Sequence, residues 1–84
     1  MKNKILIELI VPDVDKVYNI YIPVNKKIGN IIALLNRVVS DFTNGAYRGD
    51  AKRALYNRDT NVKYGVDQLV RETDIRNGTS LVLL

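Results

Sequence analysis

Between residues 17 and 42 the spacing of apolar side chains changes once, from every second position to every third or fourth. Tyr18, Ile20, Ile22 and Val24 alternate with their neighbours, which predicts a strand over residues 17–24 with one buried face. Ile28, Ile31, Ile32, Leu35, Val38, Val39 and Phe42 then recur at i, i+3, i+4 and i+7, the stripe of a helix buried on one side. Upstream, Ile5, Ile7, Leu9 and Val11 alternate in the same way and predict a first strand over residues 4–11. Its other face carries Lys4 and Glu8 but also Leu6 and Ile10, so both faces of that strand are largely apolar. Residues 12–16, PDVDK, are rich in turn formers and close a hairpin between the two strands. Pro23, which has no N–H to give to a ladder, points to an edge position or a strand exit.

The helix signals are mixed. Asn25 is a suitable N-cap, and Asn44-Gly45 supplies a stop beyond Phe42. Lys26 and Lys27 would then occupy the first turn, the wrong sign for the helix dipole by about 0.3–1 kcal/mol at an exposed site. Residues 43–52 read as a polar loop. Two short strands are expected over residues 53–57 and 61–64, around the turn Arg58-Asp59-Thr60. Residues 65–70 suggest a tight loop or a 3₁₀ turn, Asn77-Gly78 a turn, and residues 79–84 a last strand. A hairpin, a helix across it and returning strands make an α+β fold in two layers, with a mixed sheet of four to five strands on one main helix. The two terminal strands are the most apolar, which places them side by side in the middle of the sheet.

Size and composition narrow this further. Eighty-four residues suffice for one domain, expected to span 1–84. No apolar run approaches the ~20 residues needed to span a bilayer. The first apolar run is interrupted by Glu8 and lacks a small-residue cleavage site, so it reads as a strand and not a signal peptide, and a cytoplasmic setting is expected. There is no cysteine and no histidine, which removes disulfides, thiol nucleophiles, Cys/His zinc sites and the side chain that titrates most readily near neutral pH. Ser40 and Ser80 have no histidine to activate them, and no GxxxxGK[ST] loop is present. The expectation is a protein without catalytic residues, metal or cofactor. The tripeptide Arg48-Gly49-Asp50 matches an adhesion-receptor ligand, but a match of that length arises by chance and no secretion signal accompanies it.

The C-terminal stretch LVRETDIRNGTSLVLL resembles the ending of the ubiquitin-like, β-grasp fold: a leucine before a short turn, an isoleucine beneath it, and a polar turn feeding the final strand. Leu69, Ile75, Asn77-Gly78 and Leu81/Leu83 stand in those places. The middle segment, Tyr18-Asn19-Ile20, Ile22-Pro23, Ile28 and Asn30-Ile31-Ile32-Ala33-Leu34, is similar in order and spacing to the small bacterial ubiquitin-like proteins of the YukD/EsaB family, which are encoded with type VII (WXG100) secretion systems. The resemblance covers nearly the whole chain and is weakest in residues 43–52 and in the third and fourth strands. It implies a β-grasp roll and a role in such a secretion apparatus. It departs from ubiquitin at the end: conjugation needs a mobile Gly-Gly tail, whereas no glycine follows Gly78 and the sequence stops at Leu84. The expectation is therefore a protein that is neither a covalent modifier nor a sulfur carrier. The start at Met1 speaks for an independent chain over a domain cut from a larger membrane or adaptor protein, which stays as an alternative.

Two function classes follow. The first is recognition of a protein partner by a ubiquitin-like module. Ubiquitin-like domains commonly present an apolar patch on the exposed sheet face, and by position Leu6, Ile10, Leu55, Val82 and Leu84 are expected there. The edge strand bearing Tyr18 and Pro23 could instead add a strand from another chain, and Lys26 and Lys27 offer an acidic partner a charged surface. The second class is nucleic-acid binding, for which the net charge of +4 and the interleaved Tyr47, Arg48, Lys52, Arg53, Tyr56, Arg58, Lys63 and Tyr64 supply the raw material. Tyrosines at alternate strand positions are more often half-buried, so a protein partner, without nucleic acid or membrane insertion, is the expectation.

Overall fold

Alternating apolar residues need a layer to cover them, and the helix stripe supplies it. The computed structural model describes residues 3–84; Met1 and Lys2, which the single-domain reading includes, lie outside them. Strands β1 (Lys4–Val11) and β2 (Lys16–Pro23) form the hairpin, helix α1 (Ile28–Phe42) follows, and β3 (Leu55–Asn57) and β4 (Ser80–Leu83) return. The sheet runs β2-β1-β4-β3. β1 is antiparallel to β2 and parallel to β4, and β3 is antiparallel to β4. The sheet is therefore mixed, with four strands and the two terminal strands at its centre, as the greasy faces of those strands predict. The hairpin turns through a short 3₁₀ segment, Pro12–Val14, closed by Asp15 at a positive φ of 54°.

Ile7, Leu9 and Val11 from β1, Ile22 from β2, Leu55 from β3 and Leu81 and Leu83 from β4 are buried against Ile28, Ile31, Ile32, Leu35 and Val39 of the helix. Val38 is only half-buried, and Phe42 leaves the stripe: it is 60% exposed and lies against Tyr18, ring centroids 5.2 Å apart. The helix stops as Asn44-Gly45 predicts. Asn44 takes a positive φ of 51°, Gly45 donates to the Ser40 carbonyl at 2.8 Å, and Asn44 donates to Asp41 at 3.3 Å, which together satisfy carbonyls of the last turn.

The helix start differs from expectation. Asn25 is not the cap. Lys27 holds that position with no side-chain bond, so Lys26 and Lys27 precede the first turn. The exposed donors are met by main chain from far along the sequence: Ile28 donates to the Gln68 carbonyl at 2.8 Å and Gly29 to Val66 at 2.9 Å. Val70 and Arg71 donate in turn to Lys26 and Val24, each at 3.0 Å. The tight loop read at residues 65–70 is present, closed by the Gln68 N–H on the Gly65 carbonyl at 3.1 Å, and a 3₁₀ turn follows at Val70–Glu72. The lacing corrects one local expectation. Residues 61–64 do not form a strand; they meet β3 through a single bridge, Tyr56 with Lys63, before the chain is drawn off towards the helix start.

Residues 43–52, read as a polar loop, contain a core residue. Tyr47 is buried, donates to Asn36 Oδ1 at 2.6 Å and lies under the Arg53 guanidinium, 4.3 Å from ring to charge. Arg53 bonds the Arg48 carbonyl through Nε and Nη2 and pairs with Asp13 at 2.6 Å. Asn36 also donates to the Asp50 carbonyl at 3.1 Å, and Gly49 passes directly over it. A Cβ on Gly49 would come within 2.7 Å of Asn36 Cγ, and Asn36 is held from two sides. Gly49→Ala is expected to destabilise the fold by about 1–3 kcal/mol in urea unfolding, because the loop must lift off the helix.

Tyr64 is buried as well. Its hydroxyl donates to Asp74 Oδ1 at 2.6 Å and accepts from Asn57 Nδ2 at 3.0 Å. Burial and then the bond to the Asp74 carboxylate push its pKa up to about 12 from 10.0. The folded state therefore keeps the proton that the unfolded chain releases first. This contribution to stability is complete at neutral pH, falls as pH passes 10, and is lost by about 12. Tyr64→Phe is expected to cost about 1–2 kcal/mol in urea at pH 7, since buried Asn57 loses an acceptor, and to flatten the fall in stability between pH 10 and 12.

Candidate functional site

The helix covers one face of the sheet and leaves the other open. On that open face the register lines side chains up across the strands. Val17 of β2 stands beside Ile10 of β1, Ile10 beside Val82 of β4, and Val82 beside Tyr56 of β3. Neighbouring strands lie roughly 4.8 Å apart, so this apolar row runs about 14 Å across the whole sheet. A second, polar row lies next to it: Asn19, Glu8, Ser80 and then Arg58, which is placed by its N–H bond to the Ser80 carbonyl at 3.0 Å. Ser80 Oγ donates to Glu8 Oε1 at 2.8 Å and holds that carboxylate down between the strands. Beyond it Tyr21 faces Leu6. At the opposite end Leu84 joins the face next to Ala54, with main-chain bonds in both directions at 2.7 and 3.0 Å.

Four of the seven residues singled out from the sequence meet here. Leu6, Ile10, Val82 and Leu84 share the open face, Leu6 and Leu84 well exposed and the other two half-buried between neighbours. Leu55 does not: it is fully buried beneath the helix, and Tyr56, one position on, takes the outward place. A strand of three residues carries too little alternation to set its phase, which is why the sequence misleads there. Lys26 and Lys27 are exposed but stand at the start of the helix, in the other layer, so they form a separate surface. Val17 and Tyr21 were missed although the signal was present. They alternate out of phase with Tyr18, Ile20 and Ile22, and that places them on the outer face at 58% and 53% exposure.

The basic-aromatic cluster comes apart. Tyr47 and Tyr64 are in the core and cannot stack on a base, and Arg53 is tied to Arg48, Asp13 and the Tyr47 ring. Tyr47 and Tyr64, both with pKa raised chiefly by burial, lie on the covered side of the sheet. An open groove of about 640 Å³ lies between the helix, around Ala33, Asn36 and Arg37, and the 49–51 loop; it is separate from the outer face. Among the described residues no three His, Cys, Asp or Glu side chains gather as metal ligands, and no helix is long and apolar enough to cross a membrane. The face can offer apolar contact bordered by charge.

No protein-family model matches the chain, and no curated protein matches it in sequence. Solved structures do match it in shape. A chain of the MycP5-free ESX-5 inner membrane complex superposes with a TM-score of 0.80 at 16% identity over 98% of this chain, which spans only 21% of that one. A ubiquitin-like domain of an Arabidopsis thaliana protein gives 0.72 at 13% identity, covering 98% of this chain and 77% of the other. The ubiquitin-like domain of the Mycobacterium tuberculosis type VII secretion system protein EccD1 gives 0.62 at 14% identity, over 96% of this chain and 97% of that one. Identities this low speak for the fold alone, and the fold is the ubiquitin-like β-grasp: a mixed four-stranded sheet on one helix.

Proposed function

We propose that this chain is a non-enzymatic, non-conjugated ubiquitin-like interaction module that docks onto a protein component of a bacterial type VII secretion apparatus from the cytoplasmic side. The observation that carries the docking reading is the apolar row Val17–Ile10–Val82–Tyr56, which crosses every strand on a face the fold leaves uncovered. Such a row offers apolar burial without a catalytic group nearby, consistent with a sequence that has no histidine or cysteine. Exposed Arg58 and Lys63 stand beside the β3 end of the row, so a partner surface with acidic residues next to an apolar centre suits it. The secretion assignment is supported by the two secretion-system structures of similar shape and by the YukD/EsaB resemblance of the 18–34 segment. A second reading, a ubiquitin-like domain belonging to a larger membrane or adaptor protein, is favoured by the ESX-5 chain, in which a domain of this shape occupies about a fifth of the length.

The test is affinity capture with mass-spectrometric identification, comparing the wild-type chain with Val82→Lys. That substitution puts a charge at the middle of the row and leaves Leu81 and Leu83 in the core. Secretion-system proteins are expected among the captured partners, with at least a tenfold loss in Val82→Lys while cooperative unfolding is retained. Equal capture by both forms would discard the face. The double charge reversal Lys26→Glu/Lys27→Glu lies in the other layer and is expected to leave capture unchanged.

A further inference from the structure

The two edges of the sheet are not equivalent. The β3 edge is covered by its own chain: Asn57 donates to the Val62 carbonyl at 2.9 Å and Tyr64 to Leu55 at 2.9 Å. The β2 edge has no such cover among the described residues. Val24 donates to the Asn3 carbonyl at 2.9 Å, and antiparallel pairs alternate between bonded and unbonded positions. Ile22, Ile20 and Tyr18 therefore bond to β1, while Tyr21, Asn19 and Val17 direct N–H and C=O away from the sheet. The partners of two of them confirm the phase. Leu6, opposite Tyr21, and Glu8, opposite Asn19, direct their N–H groups the other way, to Asn77 Oδ1 and the Thr79 carbonyl.

Natural edges of this kind are usually blunted by charge. Here no charged residue occurs from Val17 to Asn25, and Pro23 is the one blocking residue. The exposed groups are also arranged symmetrically. Val17 and Tyr21 are the same distance along the chain on either side of Asn19, both apolar, exposed and on the outer face. We propose that β2 pairs edge to edge, antiparallel, with β2 of a second copy of this chain, the two-fold axis passing through Asn19. Asn19 of each copy then exchanges both main-chain bonds with Asn19 of the other, and Val17 exchanges both with Tyr21. The register ends where Pro23, without an N–H, would meet Asp15, which has already left the strand. This is an isologous contact, the self-complementary kind that closes into a dimer and stops there. Tyr18 faces Ile20 across the same axis on the helix side, where the exposed Phe42 ring already leans on Tyr18. The apolar rows of the two copies then lie on one continuous eight-stranded sheet.

The contact is small, so association with a Kd between about 10 μM and 1 mM is expected. Sedimentation equilibrium on the wild-type chain should show a monomer–dimer equilibrium in that range. In amide hydrogen exchange, Val17, Asn19 and Tyr21 should slow as concentration rises, with the β1 amides unchanged. Asn19→Lys sets like charges against each other on the axis. It is expected to be folded, since the Asn19 side chain is exposed on the outer face, and monomeric at about 1 mM, at least a tenfold weakening. Val82→Lys, in the middle of the sheet, should dimerise as the wild type does. A wild-type chain that stays monomeric at about 1 mM, or a dimer that survives Asn19→Lys, overturns the proposal. So does a dimer that Val82→Lys abolishes, which would place the contact on the open face. Partner capture by that face is read separately, in dilute samples, so either idea can fail without the other.

Discussion

The parallel contact between β1 and β4 joins segments more than seventy residues apart in sequence and decides where the rest of the molecule can go. It begins before β4 does. Asn77 Oδ1 accepts the Leu6 N–H at 2.8 Å, Gly78 donates back to the Leu6 carbonyl at 2.8 Å, and Glu8 donates to Thr79 at 3.0 Å. Gly78 sits at φ 86°, which a side chain would resist, so the turn needs glycine to aim the chain at β1. Once β4 lies beside β1, Leu81 and Leu83 complete the floor on which Ile31, Leu35 and Val39 rest. β3 has its strand pairing with β4 and meets residues 62–64 through one bridge, so its place in the sheet follows that of β4.

How legible each part was follows from how local its cause is. The hairpin and the helix stripe could be read directly, because each periodicity is a local record of which face meets the core. The end of the helix was legible for the same reason, since Asn44-Gly45 acts within one turn. The start was not. Its donors are met by Val66 and Gln68, and nothing near Lys26 or Lys27 announces a cap that arrives some forty residues later. Tyr47 was illegible because the polarity of its loop was judged from its neighbours. Tyr47 sits among Arg, Gly and Asp, yet Asn36 gives its hydroxyl a partner and the ring can sink. The candidate face was legible where strands are long, at Leu6 and Ile10, and illegible at Leu55, where three residues set no phase.

A shared fold does not carry an activity with it, and the surfaces that differ from chain to chain decide the role. Two of the open surfaces of this molecule differ in what they offer. One, the apolar row on the open face, offers side chains. The other, the bare edge of β2, offers main chain. They meet at Val17, Asn19 and Tyr21, whose side chains belong to the face and whose N–H and C=O groups belong to the edge. Occupying the edge would lengthen the face and not obscure it.

The cap from Val66 and Gln68 has a consequence for the order in which the molecule can form. A ribosome delivers residues 28–42 well before residues 66–70, and the last central strand comes later still. The newly made hairpin and helix therefore wait, the first turn of the helix hydrogen-bonded to water, until residues 66–83 have emerged. The core closes only when β4 brings Leu81 and Leu83 beneath the helix. A nascent chain that stops at residue 64 would hold the β1–β2 hairpin and the helix but no β4, leaving β3 without its strand partner and the interior unfinished.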